Sequence, residues 1–192
     1  MKLKQEHLYD KKILITTFAI LSIALNCQEK NISDEEVYEV INFVLKNGET
    51  KFHKKLSIIT EDPNIKTDNY FGKEIIKKYF SEKDSDYIVS QFATSKGFLL
   101  SYKYIIDLKI IHSDKLLAYK KSGKGFWSVF EEKHGDEGFM FVGKPLFSLD
   151  KKRVVINYGY YCGGLCGKGS RVILKKINDN WVFEKEISGF IS

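Results

Sequence analysis

Two prolines, Pro63 and Pro145, are all that the 192-residue chain contains, and 14% of it is aromatic. That composition excludes a proline-rich stalk or a low-complexity tail and points to an ordered globule. No apolar run reaches the roughly 20 residues that a membrane-crossing helix needs. Charge of one sign is not blocked either: 31 Lys and Arg are interspersed with 25 Asp and Glu, for a net charge of +6. The basic stripe expected of a nucleic-acid binder is therefore missing, and no nucleic-acid partner is expected. His53, His112 and His134 stand singly, without Cys or His at ligand spacing, so no metal site and no cofactor is implied. A Gly-x-Ser-x-Gly elbow, a His-Glu-x-x-His helix and calcium-loop spacing are all absent. The adjacent acids Glu131-Glu132 and Asp136-Glu137 read as a solvated face. With no repeat and no Pro, Gly or Ser linker, one domain is expected.

What the chain does have begins at its N-terminus. Lys2, Lys4, Lys11 and Lys12 precede an apolar stretch over residues 13–25, which ends in Ala24-Leu25-Asn26-Cys27 and turns polar at Gln28-Glu29-Lys30-Asn31. These are the zones of a secretory signal. The arrangement resembles the lipidation site of bacterial lipoproteins. Asn26 and Ala24 depart from the small residue and the leucine of the strict pattern, as looser sites of Bacteroidota lipoproteins do. The resemblance implies a signal peptide over residues 1–26, acyl chains such as palmitate on Cys27, a tether over 27–32 and a single domain over 33–192. It also implies a protein held at the cell envelope, on the outer membrane of a Gram-negative bacterium, by lipid on Cys27. Each buried methylene contributes about 0.8 kcal/mol, and more than one chain gives stable anchoring. An ordinary cleaved signal, or an uncleaved anchor with Cys27 unmodified, stays open.

Assigning Cys27 to lipid leaves Cys162 and Cys166 as a local pair in an oxidising compartment, where a disulfide is expected. They lie in Cys162-Gly163-Gly164-Leu165-Cys166-Gly167, preceded by Tyr158, Tyr160 and Tyr161 and followed by Lys168. Residues 125–192, and this core above all, resemble a C-terminal pattern of uncharacterised Bacteroidota lipoproteins, which carries no known activity. Glycines 159, 163, 164, 167 and 169 allow tight or positive-φ backbone, so the segment reads as a stapled connection between two strands. A phosphate loop is excluded because Gly169 stands where Ser or Thr is needed. Redox dithiols have two residues between their cysteines at a helix start, unlike this pair. Tyr158, Tyr160, Tyr161 and Lys168 form a candidate binding surface, since tyrosines beside a rigid turn offer large area at low entropy cost. Alternation sends Tyr158 and Tyr160 to one face and Tyr161 to the other, so one set belongs to the core. Trp127 and Trp181 are assigned to packing.

Ser33-Asp34-Glu35-Glu36 reads as a capping box opening a helix with Val37, Val40, Ile41, Val44 and Leu45 on one face and Asn47-Gly48 as its stop. A short strand is expected at 56–59, a helical turn or two at 73–80, and a second capped helix from Ser81 with Tyr87, Ile88, Gln91 and Phe92. Residues 103–111 alternate too loosely to choose between strand and helix. Beyond Gly138 the period becomes that of strands, at 138–147, 153–161, 170–177 and 181–187, with turns at 149–152 and 178–180. The expected fold class is α+β: N-terminal helices packed on a C-terminal antiparallel β-meander of about four strands, covered by the capped helix and by a helix with Phe126, Trp127 and Phe130. The expected function is a non-enzymatic binding or accessory module with a protein or small-molecule partner. A hydrolase with its site between helices and sheet, or an immunity-type protein that binds a toxin, are the alternatives. An enclosed pocket holding a His beside a carboxylate would mark the hydrolase; a filled sheet face would mark the binding module.

Overall fold

A computed structural model describes residues 31–48, 56–62 and 73–191; Cys27 and the signal segment lie outside the described residues. One unit comprises Asp34–Ser192. Helix α1, Asp34–Asn47, starts directly after Ser33, carries three acids in its first turn and buries Val37, Tyr38, Val40, Ile41 and Val44. Acids at that end offset the positive pole of the helix. Strand β1 is Ile58–Glu61, α2 is Lys73–Lys77 and α3 is Glu82–Ser95. The Ser81 hydroxyl caps α3 by accepting the Asp84 N–H, as the sequence predicts. Then come β2 (Lys109–Ile110), α4 (Ser113–Lys120), α5 (Phe126–His134), β3 (Phe139–Val142), β4 (Leu146–Phe147), β5 (Arg153–Gly163), β6 (Cys166–Ile177) and β7 (Asn180–Ile191). No described helix is long and apolar enough to cross a membrane.

These elements form a mixed α/β domain whose seven-stranded sheet runs β2-β1-β3-β5-β6-β7, with β4 also paired to β5. The four-strand expectation is too small. β5, β6 and β7 form the antiparallel meander, but β1 pairs in parallel with both β2 and β3. Parallel neighbours need crossovers, and α2–α3 and α4–α5 supply them. β1 overlaps the short strand expected at 56–59, whereas β2 falls within 103–111, where two residues are too few to register a period. The single strand expected at 138–147 is two: it breaks around Pro145, which has no N–H to donate to a ladder. Gln91 of α3 completes β4 instead of a strand, donating to the Phe147 carbonyl at 2.7 Å and accepting the Phe147 N–H at 3.0 Å.

Helices cover both faces. α1 lies on the face of Tyr158, Lys176 and Phe183: Phe43 packs on Phe183, and Lys176 reaches Glu39 at 3.2 Å. On the opposite face, Ile76, Phe80 and Ile88 pack on Val155 and Ile173, while Leu116, Val129 and Phe130 pack on Ile58 and Phe139. Between those clusters Gly159 faces Gly169 across β5 and β6. A Cβ at Gly159 would lie 2.6 Å from both the Phe141 ring and the Gly169 Cα. Gly159 and Gly169 thus make room for aromatic rings, whereas Gly163, at φ 151°, is the one glycine of the pattern with a positive φ. The β6–β7 hairpin turns on Asn178 and Asp179, both left-handed at φ 47° and 60°.

Candidate functional site

Cys162 and Cys166 pair as a disulfide across the β5–β6 turn, with Cα atoms 5.1 Å apart. The staple fixes a tip on which Leu165 is 93% exposed. Trp127 of α5 lies beside Gly164 and supports the turn from below. Tyr161, half-buried, packs against Phe139, Phe141 and Phe190. Tyr158 and Tyr160 share the other face, as alternation predicts, and are only 6% and 5% exposed. Their rings are packed, not displayed. Lys168, half-buried, pairs with Tyr160 in the β5–β6 ladder. The four candidate surface residues are therefore split between two faces.

A second constellation, missed in the sequence, lies where β1 and β2 end. Glu61 is buried, and His112 directs Nδ1 at its Oε1 from 2.7 Å. The same oxygen accepts the Leu100 N–H at 2.7 Å, while Oε2 accepts the Ser113 N–H at 2.9 Å. Ser113 opens α4, whose N-cap residue offers no side-chain cap, so a carboxylate from β1 caps it. Nothing in the spacing of Glu61 and His112 announces this, because the crossover brings together positions 51 apart. With Nδ1 bound to the carboxylate, a neutral His112 keeps its lone pair on Nε2, the tautomer of a general base. Among the described residues no hydroxyl or thiol pairs with that nitrogen, and no group of three metal-ligating side chains occurs.

Polar residues also cross the sheet on the face of α2–α5. Asn157 donates to Asp62 at 3.3 Å and accepts from Arg171 Nε at 2.9 Å, all three buried. Beside them a cavity of about 130 Å³ is lined by Phe141, Asn157, Arg171, Ser188 and Phe190. A larger cavity of about 320 Å³ opens on the α1 face, at the end of α1, lined by Asn47, Gly48, Tyr158, Ser170, Phe183 and Glu186 among others. Burial first, and the Glu186 charge second, hold the Tyr158 phenol above its usual range. His112 and Glu61 line neither cavity. His134 accepts from Lys109 at Nδ1 (3.4 Å) and faces the Tyr119 hydroxyl at Nε2 (3.0 Å). Burial, then Lys109, Lys115 and Lys133, push its imidazole below the usual 6.5.

The class defined by fold and site is thus a mixed α/β domain with a mostly antiparallel sheet and helices on both faces. No protein-family model, curated protein or solved structure matches the chain.

Proposed function

We propose that the chain is an exported protein, anchored at the cell envelope by lipid on Cys27, that works as a non-enzymatic binding module. The observation that carries this reading is the stapled tip: a disulfide and an underlying indole fix a turn whose one large side chain, Leu165, is almost wholly exposed. Lone exposed leucines are common on surfaces and need no explanation. A leucine on a pre-ordered turn is different, because its ordering entropy is already spent before a partner arrives. The apolar Ile191, paired with Lys168 at the same end of the sheet, extends the contact. Two measurements test the reading. Labelled palmitate is expected to enter the protein in cells and to be lost in Cys27→Ala; no incorporation refutes the anchor. A photo-crosslinking residue at Leu165 is expected to trap one defined envelope component, whereas the same group at exposed Lys124 does not. Equal labelling at both positions refutes the tip.

A hydrolase is the second reading, favoured by the His112–Glu61 pair at 2.7 Å. It requires His112→Gln to abolish turnover of a chromogenic ester or glycoside by the purified protein; absence of turnover in the unaltered protein overturns it. The pair's separation from both cavities and the structural use of both Glu61 oxygens favour the binding module.

A further inference from the structure

The geometry points to a binding site for a primary ammonium group on an unbranched alkyl stem, in the cavity between the end of α1 and strands β6 and β7. The inference deepens the binding-module reading by naming a ligand chemistry. At about 320 Å³ the cavity is large enough for such a ligand, lying at the lower end of ligand-pocket sizes of roughly 300–1,000 Å³. Its polar groups are mostly acceptors. Ser170 Oγ donates to Glu186 Oε1 at 3.0 Å, and no described residue pairs with Oε2. The Asn47 amide nitrogen is turned to the Phe43 carbonyl at 3.0 Å, leaving its oxygen as the group to offer a ligand. The Tyr158 hydroxyl has no partner among the described residues, although its ring is almost wholly buried.

Three further features select a cation. Asn47 and Gly48 bring the C-terminal end of a fourteen-residue helix to the cavity, and that end carries the negative pole of the helix dipole. Tyr158 and Phe183, with ring centroids 6.3 Å apart, supply aromatic faces that attract an ammonium and cover its stem. Two lysines near this cavity turn their ammonium groups elsewhere: that of Lys185, which is part of the lining, sits over the Tyr79 ring at 5.2 Å, and Lys176 binds Glu39 at 3.2 Å. An anion would meet Glu186 and the helix end. A neutral apolar ligand would leave Tyr158 and Glu186 without partners. An ammonium has three donors, one for each of Glu186 Oε2, Tyr158 Oη and Asn47 Oδ1. Gly48 is part of the construction, because a Cβ there would lie 2.5 Å from the Tyr158 ring.

The ammonium can come from a free amine or from a lysine side chain of a protein. Amide resonances of the full chain in detergent micelles are followed as cadaverine, its diol counterpart, Nα-acetyl-lysine methylamide or the ε-acetylated form of the latter is added. At least one of the two amines is expected to shift Gly48, Ser170, Phe183 and Glu186 saturably, and the diol and the acetylated form are not. Tighter binding of cadaverine assigns a free amine; tighter binding of the lysine derivative assigns a side chain. Glu186→Gln is expected to weaken binding about tenfold and the conservative Tyr158→Phe less than that. Absence of saturable shifts with either amine, an equal response to the diol, or undiminished binding in Glu186→Gln overturns the proposal. Neither Cys27 nor Leu165 enters this measurement, so its failure is separate from failure of the anchor or the tip.

Discussion

Replacing Glu61 by Gln preserves shape and removes one acceptor, which makes it the sharpest test of what holds the parallel edge of this sheet together. Three donors converge on the carboxylate: the Leu100 and Ser113 amides at 2.7 and 2.9 Å and the His112 imidazole at 2.7 Å. A glutamine oxygen can retain the two that share Oε1, but its amide nitrogen must then face the Ser113 N–H. A buried donor left without an acceptor costs about 1–3 kcal/mol. The two surviving bonds lose charge assistance, which makes such bonds roughly twice as strong as neutral ones. Against this, a neutral amide is less costly to bury than a carboxylate. The net expectation is a loss of about 2 kcal/mol, out of a total stability of about 5–15 kcal/mol. For a domain of about 150–250 residues that corresponds to a fall in Tm of roughly 4–8 °C. Urea titration followed by circular dichroism should show a lower midpoint with an unchanged slope. Hydrogen exchange at Ser113 and Leu100 should accelerate more than at residues of β5. If Glu61→Gln stays within about 0.5 kcal/mol of the parent, the range ordinary for surface substitutions, the carboxylate is not the clamp described, and the case for a catalytic use of the pair strengthens.

Gly159→Ala should destabilise the domain by about 1–3 kcal/mol, because the methyl would press on the Gly169 backbone and the fully buried Phe141 ring; an unchanged denaturation midpoint would refute the packing account. Substituting both Cys162 and Cys166 by Ser should lower stability by about 2 kcal/mol at most, since the chain-entropy model gives no more for a loop with a sequence separation of four, and a larger loss would show that the staple acts on the native state. His134 should titrate below 6.5 by NMR, with burial as the main cause. Its lowered value means the unfolded chain binds the proton more readily, so its contribution is fully present above 6.5 and is lost as pH falls through the folded value. His134→Phe should flatten that part of the stability profile, and an unchanged slope would refute the assignment.

The meander was legible because its strands are long. Residues 153–161 and 170–177 are long strand-forming runs bounded by turn residues, and Asn178-Asp179 declares its turn by tolerating left-handed backbone. The ends of the strands were not legible: β6 begins at Cys166 and β7 runs to Ile191, both beyond the predicted bounds, because glycines 167, 169 and 189 interrupt the pattern without interrupting the ladder. β1 overlaps the short strand expected at 56–59, but β2 was not legible, since two residues cannot display a period. The parallel pairing of both depends on helices that return each strand to the sheet. The same reason hides Glu61 and His112, whose meeting is a product of the crossover. Of the cavity beneath α1, Tyr158 was singled out for its place beside the turn; Glu186 and Ser170 were not, because a carboxylate and a hydroxyl in a polar strand look like solvated filler until cross-strand pairing sets them side by side.

β7 closes the described sheet on one side, and an open edge of twelve residues is ordinarily a template for self-association. Its middle is protected. A second copy pairing antiparallel about Lys185 would set Lys185 against its own counterpart and Glu184 against Glu186 on either side, all like charges. Two register shifts against β6, beside Val172 and Leu174, bend the same stretch out of a regular ladder. Residues 187–191 carry no charge, but Phe190 is turned onto the sheet, stacked on Phe141 and Tyr161. What remains outward at that end is Ile191 and, across the stapled turn, Leu165. The two most exposed apolar side chains of the last three strands and their turns, Leu165 and Ile191, therefore sit at one end, while the middle of the edge repels its own kind. That distribution suits a surface that meets a different molecule and resists meeting itself.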